Sequence, residues 1–161
     1  MTAPIVLASG SPRRRQLLEM LRIPFRVIAP DVDEHVLPGE EPAAYVTRLS
    51  RVKAAVVAPQ VPGEVVLAAD TTVVLGGVII GKPESPADAV AILTRLQGQT
   101  HEVMTSVTVM RDGDAAQALD VSRVTFRPAD EPTLSDAPPE PAEVDEDEDH
   151  APGTGLFAGK E

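Results

Sequence analysis

Two hydrophobic patterns alternate along the chain, and each predicts one kind of element. Three short apolar runs are typical of buried strands, at residues 5–7, 25–28 and 65–69. Three segments carry apolar residues at helical spacing, at residues 12–22, 42–58 and 85–96. The first helix is predicted to bury Leu17, Leu18 and Leu21. The second is predicted to bury Tyr45, Val46, Leu49, Val52 and Val56.

Two adjacent glycines predict a hairpin. Gly76-Gly77 separates two short apolar runs, 73–75 and 78–80, which we expect to pair as antiparallel strands. Residues 76–82, GGVIIGK, also match the G-x-x-x-x-G-K pattern of a phosphate-binding loop. Pro83 stands where that motif needs a serine or threonine for Mg²⁺. We therefore interpret the segment as a hairpin and exclude the phosphate-binding loop.

The order of elements predicts the fold class. Residues 102–110 and 118–126 alternate between apolar and polar side chains, which predicts a long antiparallel pair. The resulting order β-α-β-α-β-β-α-β-β indicates an α/β or α+β fold, with helices packed on a mixed sheet. A chain of 161 residues is long enough for one domain with a sizeable core.

Acidic residues concentrate at the end of the chain. Residues 129–161 carry 11 of the 25 acidic residues but only one of the 14 basic ones, so most of the net charge of −11 lies there. This segment is also rich in proline and poor in large apolar residues, so it cannot bury enough surface to offset its ordering entropy. We expect a body at residues 1–128 and an acidic tail at 129–161 that is disordered over 130–153.

The composition also bears on cellular context. The chain has no cysteine, which excludes disulfides and thiolate metal sites. No apolar run approaches the roughly 20 residues that span a bilayer, and the first residues lack a signal-peptide pattern. We expect a cytoplasmic protein with neither a membrane nor a nucleic-acid partner, and the oligomeric state is left open, a homodimer included.

The segment after the first strand has the features of an anion site. Ser11 is predicted as a helix N-cap and Pro12 as the first helical residue, so free backbone N–H groups and the positive end of the helix dipole lie above the strand end. Ser9, Arg13 and Arg14 are available to a polyphosphate there. A capped surface helix whose arginines face water is an equally good interpretation of these residues alone.

Several acidic residues are candidates for metal or proton chemistry. Asp70 directly follows a buried strand, where ligands of α/β sheets collect, although an aspartate at such a point is more often a turn former. Asp31, Asp33 and Glu34 offer the hard oxygen ligands that Mg²⁺ or Mn²⁺ uses together with substrate phosphates. A solvated acidic loop explains these three equally well.

Two lysines have both a functional and an ordinary explanation. Lys53 lies at the border of the apolar stripe of the second helix, where a lysine can extend its ammonium group to solvent without any function. Lys82 precedes Pro83 in a predicted loop and could contact a phosphate as a point charge.

The body resembles a known family. The matching segments share order, spacing and residue identity and cover residues 4–128: LASGSPRRRQLLEML, VDE at 32–34, YVTRLSRVKA at 45–54, AADTTVV at 68–74, GKP at 81–83, LQGQTHEVMTSVTV at 96–109 and VTFRP at 124–128. These motifs are similar to those of the Maf family of nucleoside triphosphate pyrophosphatases. The resemblance implies a two-lobed fold related to the inosine triphosphate pyrophosphatases, with a nucleotide between the lobes.

The resemblance also implies a reaction and a set of site residues. A divalent metal, Mg²⁺ or Mn²⁺, assists water attack on the triphosphate and gives a nucleoside monophosphate and pyrophosphate. Asp70 is implied as the general base and, with Glu34, as a metal ligand. The residues implied in substrate binding are Ser9, Arg13, Arg14, Lys53, Thr71 and Lys82. Arg13 and Thr71 resemble the branch that acts on dTTP and UTP.

The chain departs from the family pattern after residue 128. The segment that usually follows carries a glutamine for base recognition and further strands, and none of it is recognisable here. We expect uncovered apolar sheet surface as a result. A catalytically impaired relative that binds nucleotide or a protein partner is therefore the alternative to an active enzyme.

Overall fold

The computed structural model of the protein describes residues 4–129. Within that range it forms three α-helices, α1 at Pro12–Met20, α2 at Pro42–Val57 and α3 at Pro86–Leu96. A 3₁₀ turn, Ala58–Gln60, extends α2. The same range contains six strands, β1 to β6 in chain order, at Ile5–Leu7, Phe25–Val27, Val66–Leu75, Val78–Ile80, Thr100–Arg111 and Asp114–Thr125. The tail predicted at 130–153 lies outside the described residues.

The strands form one mixed sheet in the order β2-β1-β3-β5-β6, with β4 paired to β3 beside this path. β1 pairs in parallel with β2 and β3, whereas the pairs β3–β5, β5–β6 and β3–β4 are antiparallel. The predicted fold class, a mixed sheet with flanking helices, is confirmed. The predicted hairpin is confirmed as well: Gly76 and Gly77 have φ of 57° and 79°, a conformation that glycine adopts without strain.

The helices α1 and α2 pack on opposite faces of the sheet. Successive residues of a strand point to opposite sides of the sheet, so neighbouring residues of β1 meet different helices. On one face, Leu18 of α1 packs with Leu7 and Phe25. On the other face, α2 contributes Ala54 and Val57 to the larger core cluster, which also contains Val6 of β1, Ala8 directly after β1, and Val66 and Ala68 of β3. β1 and β3 therefore form the centre of the molecule, with a core on each side.

The predicted buried faces of α1 and α2 are partly wrong. Leu17 and Leu21 are 52% and 67% exposed, because α1 ends at Met20 and directs only Leu18 onto the sheet. On α2, Val56 is 40% exposed, and the buried stripe ends with Ala54 and Val57. The residues after Leu49 are apolar on several sides of α2, so their pattern did not specify which side meets the sheet.

A buried cluster of hydroxyl groups joins α2 to the sheet. Ser50 Oγ lies 2.9 Å from Ser106 Oγ and 2.8 Å from Thr108 Oγ1, and it donates to the Thr47 carbonyl at 3.1 Å. Gln117 of β6 donates to Thr108 Oγ1 at 2.9 Å. Ser50, Ser106 and Thr108 are each at most 1% exposed, so the cluster satisfies polar groups that water cannot reach.

Removing the centre of this cluster is expected to destabilise the protein. Ser50→Ala leaves the hydroxyls of Ser106 and Thr108 short of a partner, which costs about 1–3 kcal/mol of unfolding free energy. The matched control is Ser122→Ala, because Ser122 is exposed on β6. Urea denaturation measures the unfolding midpoint of both variants. If the midpoint of Ser50→Ala lies as close to that of wild type as the midpoint of the control does, the structural role of the cluster is contradicted.

The described residues leave much of the last strand uncovered. Every residue of β6 except Val124 is exposed, and Leu119 and Val121 are 46% and 45% exposed. Both side chains lie on the α2 face of the sheet, since they pair with Ser106 and Met104 of β5.

Within residues 4–129, no helix is long and apolar enough to cross a membrane.

Candidate functional site

The candidate site lies at a gap along one edge of β3. β1 pairs only with Val66 and Leu67 of β3, and β4 pairs only with residues 73–75, while β5 accompanies the opposite edge over residues 66–74. Between these partners, the described part of the chain places no strand beside residues 68–72. Asp70 and Thr71 therefore lie just beyond the end of β1, where the chain enters α1.

The placement of Asp70 corrects the sequence-based expectation. We expected a strand end or a turn after Ala69, but β3 continues through Asp70 to Leu75. The strand continues because β5 pairs with Asp70, Thr71 and Thr72 as regularly as with their apolar neighbours. Asp70 is consequently held by sheet pairing and is only 7% exposed.

Lys53 links two carboxylates at this gap. Its Nζ lies 3.0 Å from Asp70 Oδ1 and 2.6 Å from Glu34 Oε1. The side chains of Lys53 and Asp70 are 12% and 10% exposed, whereas that of Glu34 is 51% exposed. The three groups form an acid–base–acid cluster with one negative charge in excess, closed on the Asp70 side and open to solvent at Glu34.

The environment of Asp70 favours its neutral form more than water does. Burial raises the pKa of Asp70, and the nearby Glu34 carboxylate raises it further, while Lys53 and Arg14 act in the opposite direction. A carboxyl group with a raised pKa is a better proton acceptor than an ordinary surface aspartate. Asp70 therefore has the electrostatic setting of a general base.

A second set of hydrogen-bonded polar side chains lies at the start of α1. Arg14 donates from Nη2 to Thr71 Oγ1 at 3.2 Å and from Nη1 to Ser9 Oγ at 3.5 Å. Ser9 Oγ also accepts from the Ser11 N–H at 3.0 Å, and Ser11 caps the helix through the Arg14 N–H, as predicted. Burial lowers the pKa of Arg14, and the negative charges of Asp70 and Glu34 oppose that change.

The structure brings together six of the eight residues predicted for the site. Ser9, Arg14 and Thr71 share one set of hydrogen bonds, and Glu34, Lys53 and Asp70 share the other. Arg13 is exposed on α1. Lys82 lines a groove between β4 and α3, together with Ile80 and Ile92 among others. The functional roles of all eight residues stay predictions.

Sequence reasoning missed three polar residues around these groups. Thr105 of β5 lies opposite Thr71, with 3.0 Å between their hydroxyl oxygens. Tyr45 donates to the Glu34 carbonyl and Arg48 to the His35 carbonyl. Tyr45 and Arg48 fall inside the YVTRLSRVKA motif, and membership of that motif was the only sign in the sequence that could have pointed to them. Their carbonyl partners depend on the path of a loop, which no local pattern predicts.

The carboxylates of the candidate site suit an ion such as Mg²⁺, which also takes ligands from water and substrate, better than an ion that is bound by protein side chains alone. Within residues 4–129, no group of three or more histidine, cysteine, aspartate or glutamate side chains could hold a metal ion. Glu34 and Asp70 supply two carboxylates, and Mg²⁺ is usually bound by one or two carboxylates plus water and substrate phosphates. Asp33 is engaged otherwise, since its Oδ1 accepts from the His35 N–H at 2.9 Å.

The chain is similar to known proteins over most of its described length. The family model described as Maf-like protein matches residues 4–137. A dTTP/UTP pyrophosphatase of Myxococcus xanthus is 54% identical over 124 residues, which are 76% of this chain and 62% of that protein. A dTTP/UTP pyrophosphatase of Geobacter sulfurreducens is 45% identical over 134 residues, or 81% of this chain and 70% of that protein.

Two further findings set the extent of the likeness. The chain spans about three fifths of the length of the first of these relatives. The Ham1 protein of Staphylococcus aureus has a similar fold, with a TM-score of 0.55 at 16% identity over 75% of this chain and 70% of that one. The family match covers most of the chain, and it confirms the resemblance that the motifs indicated. The chain belongs to the family of Maf-like proteins.

Proposed function

We propose that this protein hydrolyses dTTP, UTP or related nucleotides, including base-modified ones, to the monophosphate and pyrophosphate. The single observation that carries the proposal is the cluster of Glu34, Lys53 and Asp70 beside the Arg14 group. It combines a buried carboxylate, a cation that neutralises charge, and a second carboxylate open to solvent. The relatives named dTTP/UTP pyrophosphatase support the same reaction.

The residues divide the work between binding and chemistry. Arg14 and Ser9, at the N-terminus of α1, would bind phosphate oxygens, because charged donors and helix N-termini favour anions. Asp70 would accept the proton of the attacking water as the anhydride bond between the α- and β-phosphates breaks. Lys53 would neutralise negative charge that develops on the phosphates and hold Asp70 in place.

Glu34 and Asp70 would hold a divalent cation, Mg²⁺ or Mn²⁺. Such an ion supplies charge neutralisation on the triphosphate and lowers the pKa of a bound water. The two carboxylates fit this role, since both contact the same ammonium group of Lys53 and so already face one positive charge. Thr71 and Thr105 present hydroxyls beside Arg14, in a position suited to further contacts with the nucleotide.

Pyrophosphate release tests the proposal directly. We expect release from dTTP and UTP in the presence of Mg²⁺ or Mn²⁺, with less from purine nucleotides and none in excess EDTA. Nucleotide binding is measured in parallel by calorimetry. Binding without release would contradict the enzyme and favour the alternative, a nucleotide-binding protein without catalysis.

The predicted phosphate contacts are expected to appear in KM. Arg14→Ala and Arg13→Ala would each remove a proposed charge-assisted hydrogen bond to a phosphate, worth about 1.5–3 kcal/mol, so KM for dTTP should rise about tenfold or more. Arg51→Ala is the matched control, because Arg51 is an exposed arginine on α2. Steady-state kinetics at saturating Mn²⁺ measures all three. An Arg14→Ala enzyme with the KM of the control would remove Arg14 from the substrate site.

A further inference from the structure

Glu34 belongs to a loop without regular secondary structure. The 28–41 loop connects β2 to α2, and the structure assigns no helix or strand to any of its residues. Its only acidic residue in contact with the Lys53 and Asp70 cluster is Glu34, whose side chain is half exposed. Ordering such a loop costs conformational entropy at each residue. The position of Glu34 therefore depends on what holds the loop.

Tyr45, near the start of α2, fastens the backbone of Glu34 itself. Its hydroxyl donates to the Glu34 carbonyl oxygen at 2.6 Å. The bond constrains the peptide group from which the Glu34 side chain extends.

Arg48, three residues further along α2, fastens the next part of the loop. Its Nη2 donates to the His35 carbonyl at 3.0 Å, and the same guanidinium forms a two-point contact with Glu40 at 2.7 and 2.9 Å. Glu40 in turn accepts from the Leu37 N–H at 3.1 Å. The guanidinium also lies 5.8 Å from the centre of the Tyr45 ring, so the two side chains order one another.

Lys53 completes a set of three contacts from one helix. Tyr45 and Arg48 hold the backbone at residues 34 and 35, and Lys53 holds the Glu34 carboxylate at 2.6 Å. Helix α2 is itself fixed on the sheet, so it relates the position of Glu34 to that of Asp70 on β3. The loop backbone would stay fastened when a cation displaces the ammonium group of Lys53 from Glu34.

We propose that Tyr45 and Arg48 are positioning residues that hold Glu34 ready for a divalent cation shared with Asp70. The inference rests on the proposed function, since it requires Glu34 to be a metal ligand. Groups that orient a ligating carboxylate raise metal affinity because the ligand need not be ordered when the ion binds.

The test is Mn²⁺ binding by the full chain with no nucleotide present. Binding is monitored as the loss of the electron paramagnetic resonance signal of free Mn²⁺. Tyr45→Phe removes only the hydroxyl, and Arg48→Lys keeps the charge but cannot reach both acceptors at once. Each variant is expected to bind Mn²⁺ about tenfold more weakly, in the range typical of residues that orient metal ligands. Arg51→Lys, the same change at an exposed site of α2, should bind Mn²⁺ like wild type.

A second readout separates positioning from general stability. Hydrogen exchange in the metal-free variants should accelerate in the 28–41 loop and stay unchanged in β3 and β5. Thermal melting should change little, because Tyr45→Phe leaves the ring in place. Faster exchange throughout the body would mean that the two residues stabilise the whole fold, and would overturn the proposal.

Glu34→Gln distinguishes failure of this inference from failure of the proposed function. If Glu34→Gln weakens Mn²⁺ binding while Tyr45→Phe and Arg48→Lys bind like wild type, the positioning role is wrong and the metal site stands. If wild type binds no Mn²⁺, or Glu34→Gln binds it equally well, the proposed metal site is wrong and the positioning role falls with it.

Discussion

Asp70→Asn is expected to lower turnover of dTTP and UTP by about 10²–10⁴-fold, the effect typical of a lost general base. The substitution keeps the size of the side chain and its place on β3, but it removes the proposed proton acceptor and one of the two carboxylates proposed to bind the metal. The sheet pairing that holds residue 70 is made by the backbone, so the fold should be retained. Pyrophosphate release at saturating nucleotide and Mn²⁺ measures the loss, and circular dichroism checks the fold.

Asp114→Asn is the matched control, because Asp114 is an exposed aspartate at the start of β6. Its turnover should equal that of wild type. The proposed mechanism also predicts different behaviour for Asp70→Asn and Arg14→Ala, since the first lowers kcat and the second raises KM. An Asp70→Asn protein that turns over like wild type would exclude Asp70 as the base.

The elements of the fold were predictable because their patterns are local. Capping at Ser11, the two glycines at 76 and 77, and the alternation that precedes and follows residue 112 each specify one turn or one strand from neighbouring residues alone. The face of a helix that is buried is a different matter. On α2 it depends on hydroxyls of β5 that meet Ser50, and these are more than fifty residues away in the chain.

Six residues of the candidate site were named from the sequence, but the contacts between them were not predicted. Asp70 interrupts an apolar run, and a polar interruption normally indicates the end of a strand. Inside β3 the buried Asp70 carboxylate contacts the ammonium group of Lys53, which compensates its charge, and that contact joins two elements that no local pattern relates. The same holds for Lys53, for which solvent exposure was an adequate explanation until the structure placed it between two carboxylates.

Thr105 and Arg48 show a further limit of what the pattern of residues along the chain can predict. Both are ordinary residues for their elements, a threonine in a strand and an arginine in a helix. They join the candidate site only through partners set by tertiary structure, the Thr71 hydroxyl for Thr105 and the His35 carbonyl for Arg48. Family resemblance identified the segments that contain them without indicating which residues in those segments hold others in place.

Lys53→Met is expected to lower the free energy of unfolding at neutral pH by about 3–5 kcal/mol, because it leaves two carboxylates without their shared cation. Methionine fills most of the lysine volume, so the loss reflects charge rather than packing. The deficit should shrink as the pH falls. Without the lysine, burial and Glu34 raise the pKa of Asp70 and only Arg14 still opposes them, so the folded protein takes up a proton at Asp70 more readily than the unfolded chain does. Protonation then removes the uncompensated charge as the pH falls.

A double-mutant cycle with Asp70→Asn isolates the interaction between Lys53 and Asp70. Asparagine carries no charge to be compensated, so Lys53→Met should cost less in the Asp70→Asn background than in wild type, with a coupling energy of about 1–3 kcal/mol. Urea denaturation of the four proteins at neutral and acidic pH provides the values. Equal costs of Lys53→Met in both backgrounds would show that Asp70 gains nothing from Lys53. In that case the 3.0 Å contact between them would not explain how β3 tolerates a buried carboxylate.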